Sequence, residues 1–229
     1  MAAANRSALS RRTFLTCLAG ASGMALTGCV PQEPPSVATV PTRPRIPRSY
    51  RLMYGPMPQA RFPIPAVDLS RVPRRFWRRE VFYPTPEPVG TLIVDTDRFF
   101  LFLIQPNGKA IRYGVGLGRA GFGWKGKARI HHKARWPTWT PPADMIAREP
   151  ELARYSAANG GMQPGLMNPL GARALYIFQD GVDTLYRVHG TPEYWTIGKA
   201  VSSGCVRLMN QDIIDLYRRV TPGSKIIVR

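Results

Sequence analysis

The chain has 229 residues, with 32 lysines and arginines against 14 aspartates and glutamates, and so carries a net charge of +18 at pH 7. This excess predicts attraction to polyanions, of which nucleic acid is the usual one. The basic residues are mostly scattered rather than run together, which indicates an ordinary solvated surface for most of them.

Residues 1–28 have the pattern of an export signal. Three arginines and no acidic residue come first, and the apolar stretch 14–26 is too short to span a bilayer comfortably. Residues 10–15, Ser-Arg-Arg-Thr-Phe-Leu, resemble the twin-arginine signal, whose substrates cross the membrane already folded. We therefore expect a periplasmic or cell-envelope location. There, anionic lipid headgroups and the carboxylate-rich cell wall replace nucleic acid as partners.

Cys29 ends this segment in the sequence Leu-Thr-Gly-Cys, which resembles the lipobox of bacterial lipoproteins. In a lipobox, cleavage before the cysteine leaves a lipidated N-terminus, and more than one acyl chain gives a stable membrane anchor. The alternative is that Cys29 is an ordinary small residue of a signal peptide. Its position at the end of the apolar run favours lipidation.

Prolines recur every few residues between positions 29 and 87. Because proline excludes helix interiors and central strands, we predict a semi-extended linker, at about 3 Å per residue where it adopts the polyproline conformation. The later part carries Phe62, Phe76, Trp77 and Tyr83, aromatic residues that favour packing on the following domain instead.

From residue 88 to residue 229 the chain changes to short β-rich runs, long enough together to bury one hydrophobic core. The patterns predict strands at 91–95, 98–104, 110–117, 127–133, 174–179, 184–189 and 225–228. One helix is predicted at 211–220, with Asn210 as its cap and Pro222-Gly223 as its end. The fold class is mostly β, a β-sandwich or open barrel with one late helix.

The connection 120–171 is long and rich in glycine, proline and tryptophan. Such a segment predicts a lid or a substrate-lining loop, with Trp136 and Trp139 as candidate substrate-binding side chains. The alternative is that both tryptophans are core or rim residues.

Cys205 is the residue with the clearest chemical signal. Once the signal is removed and Cys29 is lipidated, Cys205 is the only cysteine with a free thiol, in a compartment that oxidises thiols in pairs. A cysteine nucleophile needs a neighbouring base, and His189, sixteen positions earlier, can supply it if the two segments lie side by side.

The residues around this pair fit the same chemistry. Gly190 allows close backbone approach, and Ser203-Gly204 can form a turn whose N–H groups point at a developing oxyanion. Arg207 shares a face with Cys205 in an extended segment and can bind a substrate carboxylate through two hydrogen bonds.

The other two histidines, His131 and His132, are weaker candidates for the base. Adjacent residues on a strand face opposite ways, so the two imidazoles are not expected to act together. One cysteine and three histidines show none of the usual ligand spacings, so we predict no metal site.

Residues 189–191, His-Gly-Thr, and 202–208, Ser-Ser-Gly-Cys-Val-Arg-Leu, together resemble the signature of the L,D-transpeptidases, cell-wall enzymes with a YkuD-type catalytic domain. The likeness extends upstream through residues 114–119, the Trp-Pro-x-Trp-x-Pro-Pro segment and Asn168-Pro-Leu-Gly, and covers about residues 88–229. Many members carry a second histidine where this chain has Ser203, although serine also occurs there.

The resemblance implies a thioester mechanism without a cofactor. The Cys205 thiolate attacks the carbonyl before the terminal D-alanine of a peptidoglycan stem tetrapeptide, and an amine from a second stem resolves the acyl-enzyme. His189 acts as base and then acid, oriented by the carbonyl of Gly190. The N–H groups of Ser203, Gly204 and Cys205 form the oxyanion hole, and Arg207 holds a carboxylate. Members are typically sensitive to carbapenems.

Three functions remain open at this point. The first is transpeptidation, making 3-3 crosslinks or attaching an amine-bearing partner such as a lipoprotein. The second is a carboxypeptidase or endopeptidase, in which water resolves the same thioester. The third is a non-catalytic, wall-binding lipoprotein with an inert thiol. Intact His189 and Arg207 argue against the third, because binding alone does not require them.

Overall fold

The apolar runs after residue 90 form strands close to the predicted ones, in a computed structural model that describes residues 45–118, 125–202 and 204–229. The strands are β1 Arg79–Phe82, β2 Leu92–Asp95, β3 Phe100–Gln105, β4 Lys109–Gly114, β5 Leu117–Gly118, β6 Gly126–Arg135, β7 Arg173–Gln179, β8 Val182–Thr191, β9 Ala200–Ser202, β10 Val206–Met209 and β11 Lys225–Val228. The α-helices are α1 Arg48–Met53, α2 Ala143–Arg148 and α3 Asn210–Arg219, and short 3-10 turns occur at Leu69–Arg71, Arg74–Phe76, Pro150–Tyr155, Ala157–Asn159 and Tyr194–Thr196. None of the described helices has the length and hydrophobicity of a membrane span.

Nine strands form one mixed sheet in the order β1-β4-β3-β2-β11-β6-β7-β8-β10, and β5 pairs with β9. An antiparallel bridge between Gly116 and Arg207 connects β10 to the chain that leaves β4. The sheet therefore curls until its two ends approach each other. The predicted mostly β fold is confirmed, and of the two architectures expected the curled single sheet corresponds to the open barrel.

The core lies inside this curl. Every other residue of the central strands points inward, among them Leu92, Leu103, Ile130, Ile177 and Val188. Helix α3 closes the open side with Ile213, Leu216 and the following Val220, all buried in the same cluster.

Helix α3 begins one residue earlier than predicted, and the predicted cap at Asn210 is wrong. The residue before the helix is Met209, and no side chain caps the first turn. The Asn210 Oδ1 instead accepts a hydrogen bond from the Ala172 N–H at 2.9 Å. The Asn210 side-chain oxygen, which the local sequence assigns to capping the helix, is thus used for a contact with a distant part of the chain.

Residues 45–87 are packed rather than extended, and the compact unit runs from Arg45 to Arg229. Tyr54, Phe76 and Trp77 are buried in a cluster that also contains Ile197 and Met209. Strand β1 pairs with β4 at the edge of the sheet. The prolines limit this segment to one six-residue helix, two 3-10 turns and one edge strand, but its buried aromatic residues still attach it to the domain. The predicted linker thus does not extend over these residues; its first part, with Cys29 and the signal, lies outside the described residues.

Candidate active site

Strand pairing brings the two halves of the cysteine–histidine motif together. Strand β10 runs parallel to β8, with Val206 opposite Val188 and Arg207 opposite His189. Cys205 directly precedes β10 and so lies beside Arg187. Because Val188 and Val206 point into the core, the alternation of strand side chains puts Cys205, His189 and Arg207 on the outer face. The two segments lie side by side, as the sequence led us to expect.

His189 is only 4% exposed, and its tautomer is fixed by carbonyl groups. The Nδ1 atom lies 2.6 Å from the carbonyl oxygen of Gly190, and the ring also hydrogen-bonds the backbone of Pro169. A carbonyl can only accept, so we assign the proton to Nδ1, which donates it. This tautomer leaves the lone pair on Nε2, which is the nitrogen that a general base would use.

The pKa of His189 is lowered to about 4, mainly because the ring is buried. The positive charges of Arg207 and Arg187 lower this pKa further, whereas the hydrogen bonds to backbone carbonyls raise it. The imidazole is therefore neutral at pH 7, which is the form that a general base requires.

Cys205 is partly buried, and burial raises the pKa of its thiol. Two effects oppose this rise and lower the pKa: a hydrogen bond from the Arg187 backbone N–H, and the positive charges of Arg187 and Arg207. The net effect is upward, so the resting site holds a neutral thiol beside a neutral imidazole. A thiol in this state needs a base at the moment of attack.

Gly190 is required by close packing between β8 and helix α3. A Cβ at this position would collide with the Asn210 Oδ1 and would come within 3.0 Å of the Ile213 Cγ2. The absent side chain lets α3 approach the strand, and it leaves the Gly190 carbonyl in place to accept from His189.

The turn before the thiol also requires glycine. Gly204 has φ +138°, a region that residues with a side chain rarely adopt, and a Cβ there would meet the Tyr186 ring at 3.0 Å. Ser203 lies outside the described residues. The oxyanion hole of Ser203, Gly204 and Cys205 therefore stays a prediction.

Arg207 is 7% exposed and offers donors that nothing in the described chain accepts. Its Nη1 bonds the Glu193 carboxylate at 3.1 Å. Its Nε and Nη2 are buried and have no hydrogen-bond partner among residues 45–118, 125–202 and 204–229. These two atoms form one edge of the guanidinium, the edge that grips a carboxylate through two parallel bonds. Buried guanidinium donors without a partner point to a ligand.

The two candidate tryptophans of the long connection do not line the site together. Trp136 is 5% exposed and packs in a cluster with Ile64, Ala172 and Ile214, its ring edge-on to Phe62 at 4.9 Å. The predicted substrate contact of Trp136 is thus wrong, because residues 45–87 cover the tryptophan and make it a core residue. Trp139 is half-buried at the rim, paired through its backbone with Met162.

Asn168 holds the long connection against the site. Its side-chain amide donates to the carbonyls of Pro137, Met162 and Gln163 at 3.0 to 3.2 Å, and its Oδ1 accepts from the Leu170 N–H. One buried side chain thereby fixes four points of the loop next to Pro169, whose carbonyl bonds His189. The Asn-Pro-Leu-Gly segment is recognisable in the sequence, but nothing there indicates this role for Asn168.

Arg187 is a second residue that the sequence analysis missed. Its guanidinium donates two hydrogen bonds, of 2.7 and 2.8 Å, to the Asp183 carboxylate. The same guanidinium lies 4.4 Å from the centre of the Tyr176 ring. The available signal was its position two residues before His189, which puts both on one face of the strand.

His131 and His132 share the outer face, contrary to expectation. The pairing of β6 with β7 shifts by one residue between Ile130 and His132. This bulge turns both rings outward, with their Nδ1 atoms 3.0 Å apart. Within the described residues, no three ligating side chains converge as a metal ion would require.

The L,D-transpeptidase catalytic domain model of the YkuD family matches residues 90–228. The probable L,D-transpeptidase YbiS of Escherichia coli is 32% identical over 157 residues, which is 65% of this chain and 47% of that protein. The putative L,D-transpeptidase YkuD of Bacillus subtilis is 44% identical over 91 residues, 40% of this chain and 52% of that protein. The chain thus spans about half the length of these curated relatives.

A crystal structure from Brucella melitensis, named a probable carnitine operon oxidoreductase, is 40% identical and covers 71% of this chain and 99% of its own, with a TM-score of 0.48. We base the family on the domain model and the curated relatives. The matched residues contain His189, Cys205 and Arg207. The chain belongs to the L,D-transpeptidase catalytic domain family.

Proposed function

We propose that this protein is a peptidoglycan L,D-transpeptidase that acts on stem tetrapeptides through a thioester on Cys205. The observation that carries the proposal is the register of β8 and β10, which sets Cys205 next to a buried, neutral His189 whose Nδ1 bonds the Gly190 carbonyl. The free edge of Arg207 on the same face supplies a site for a substrate carboxylate.

Acylation begins with proton transfer. The Nε2 of His189 takes the Sγ proton of Cys205 as the sulfur bonds to the carbonyl carbon before the terminal D-alanine. The carbonyl electron pair moves to oxygen, where backbone N–H groups at Gly204 and Cys205 can donate to it. Arg207 fixes the substrate through its carboxylate, which keeps the carbonyl within reach of the sulfur.

Collapse of this intermediate breaks the peptide bond. The leaving amine of D-alanine takes the proton from the imidazolium, and the tripeptide acyl group stays on sulfur as a thioester. Because the pKa of His189 is lowered to about 4, its protonated form is a strong acid and returns the proton readily.

The second half reverses the roles. An amine of another stem attacks the thioester, His189 removes the proton of that amine, and the Cys205 sulfur leaves and regains a proton. A 3-3 crosslink results. A lipoprotein amine can serve as the acceptor in the same way, and water would give a tripeptide monomer.

The cellular location of the protein is also a proposal. The twin-arginine pattern and the lipobox support export in the folded state, cleavage before Cys29 and anchoring of the envelope protein by lipid. The mass of the mature N-terminus tests this: a diacylated or triacylated Cys29 is expected, and an unmodified N-terminus at another residue would contradict it.

Product analysis tests the reaction. The protein without residues 1–28 is incubated with disaccharide-tetrapeptide, and the products are identified by mass spectrometry, with Cys205→Ala as the control. A crosslinked dimer that the control does not make is the expected product. A tripeptide monomer alone would indicate a carboxypeptidase, and no product from a properly folded protein would indicate a wall-binding protein.

A further inference from the structure

The outer face of the sheet next to Cys205 carries stacked side chains that the reaction does not use. The His132 ring lies on the Tyr176 ring with centres 4.0 Å apart and planes 17° apart. The Arg187 guanidinium lies over Tyr176 at 4.4 Å, and the backbone N–H of the same arginine bonds the Cys205 sulfur. A continuous row therefore runs from the nucleophile across β8 and β7 to β6.

A second row lies beside the first, farther from the nucleophile. Arg129 pairs with Phe178 across β6 and β7, and the His131 ring stacks on Phe178 at 4.2 Å with an interplanar angle of 18°. The bulge after Ile130 is what places both histidines on this face. We call the two rows, made of His131, His132, Tyr176, Phe178 and Arg187, the outer strip.

The outer strip ends in a cavity of about 510 Å³ that extends from the turn between β7 and β8 across the first half of β6 to the start of β11. Its lining includes Lys127, Arg129, His131, Phe178, Asp180 and Lys225. A flat ring stack flanked by charged side chains with several donors and acceptors suits a sugar, whose C–H face packs on rings while its hydroxyl and carbonyl oxygens need hydrogen bonds.

The spacing between cavity and nucleophile fits a stem peptide. Three inter-strand steps separate β6 from the segment of Cys205, roughly 14 Å at about 4.8 Å per step. Three extended residues, from the reacting carbonyl back to the sugar end of a stem, span about 10 Å. The stem of a donor that reacts at Cys205 therefore covers most of this lateral separation along the outer strip, and the sugar attached to its end extends across the rest to the cavity.

We propose that the cavity at Lys127 and His131 binds the sugar end of the donor peptidoglycan, with the outer strip under the stem that connects it to Cys205. This inference rests on the proposed function, since it takes the donor to be a sugar-bearing stem. It adds a site for the glycan that is separate from the reacting groups.

The test compares two donors, the free tetrapeptide and the disaccharide-tetrapeptide, by the ratio of their kcat/KM values. The test variant is Lys127→Ala with His131→Ala, which removes one cation and one ring, both exposed. The matched control is Arg79→Ala with Phe82→Ala, which removes an exposed cation and an exposed ring from the edge strand β1, away from the cavity.

We expect the wild-type protein to favour the disaccharide-bearing donor, and the test variant to reduce that ratio about three- to tenfold, as loss of two partly exposed contacts would. The control keeps the wild-type ratio. Equal ratios in wild type and test variant overturn the proposal. Loss of binding to phosphatidylglycerol vesicles, with the ratio intact, also overturns it and makes this face a membrane contact.

A second measurement separates the failure of this site from the failure of the reaction. If the wild-type protein turns over neither donor, the proposed function is wrong, and calorimetric binding of uncleaved disaccharide-tetrapeptide to the Cys205→Ala protein still tests the cavity. Weaker binding on adding Lys127→Ala and His131→Ala supports the sugar site, and an unchanged Kd contradicts it.

Discussion

The neutral, buried state of His189 makes the stability of the fold depend on pH in a way that one substitution should remove. The pKa of this imidazole falls from an ordinary 6.5 to about 4 in the folded protein, first because the ring is desolvated. Between these two pH values the unfolded chain binds a proton that the folded chain excludes. The free energy of unfolding therefore rises with pH in this window.

The size of the effect follows from the two pKa values. At 1.36 kcal/mol per pKa unit, the His189 contribution is complete above pH 6.5 and falls by about 3 kcal/mol as the pH drops towards 4. Buried Asp212 acts in the opposite direction, because burial raises its pKa to about 7. Its contribution is present below the ordinary carboxyl pKa and is lost as the pH rises through 7.

His189→Gln isolates the histidine, since Asp212 is present in both proteins. Urea unfolding of wild type and variant at intervals from pH 4 to pH 7 gives the difference in unfolding free energy at each pH. We expect the wild type to gain about 3 kcal/mol relative to the variant across this range. A difference that stays constant with pH would show that the folded imidazole titrates normally, and the assignment of His189 as a buried neutral base would fail.

Three further predictions concern single residues of the site. Arg207→Lys keeps the charge but removes the Nε and Nη2 edge, which lacks a partner in the described residues. We expect transition-state binding to weaken by about 1–3 kcal/mol, seen as a lower kcat/KM in steady-state kinetics. An unchanged kcat/KM would make Arg207 a structural cation. A carbapenem should add one equivalent of mass to the wild type and none to Cys205→Ala, and an adduct that persists in the variant would place the nucleophile elsewhere. Gly190→Ala should lower stability by about 1–3 kcal/mol, because the added methyl meets Asn210 and Ile213; a thermal midpoint equal to that of the wild type would contradict this packing.

The strands and the late helix were predictable because their apolar residues repeat with the period of the element they form. Leu92 to Asp95 and Lys225 to Val228 are short runs with turn residues on both sides, and each lies within one residue of its predicted span. Strand β10 was not predicted as a strand, since its four residues include Arg207 and carry no clear alternation. Its pairing with β8 is nonetheless what assembles the site.

The aromatic residues of 45–87 indicated that this segment packs on the domain, but not where it packs. Prolines exclude regular elements there, but whether Tyr54, Phe76 and Trp77 are buried depends on surfaces contributed by Ile197 and Met209, more than a hundred positions away. The core position of Trp136 could not be predicted either, because the tryptophan is covered by this distant segment. The sequence could name the tryptophan as important but could not say what lies over it.

The candidate residues of the site were predictable where a motif named them, and the supporting contacts were not. His189, Cys205 and Arg207 follow from the spacing of the signature, and the structure places them on one face. The bonds from Asn168 to three loop carbonyls depend on the path of a connection that has no repeating pattern. The bulge that turns His131 and His132 to one side depends on the partner strand.

Direct detection of the acyl-enzyme is the measurement closest to the central claim, that Cys205 with His189 as base takes the acyl group of a stem. The protein is mixed with disaccharide-tetrapeptide without an acceptor, quenched in acid after short times, and examined by intact-mass and peptide-level mass spectrometry. We predict a transient mass increase equal to the disaccharide-tripeptide acyl group, located on Cys205, formed in the wild type and absent from Cys205→Ala and His189→Gln. Turnover of the substrate without any such adduct, or an adduct on another residue, would contradict the claim.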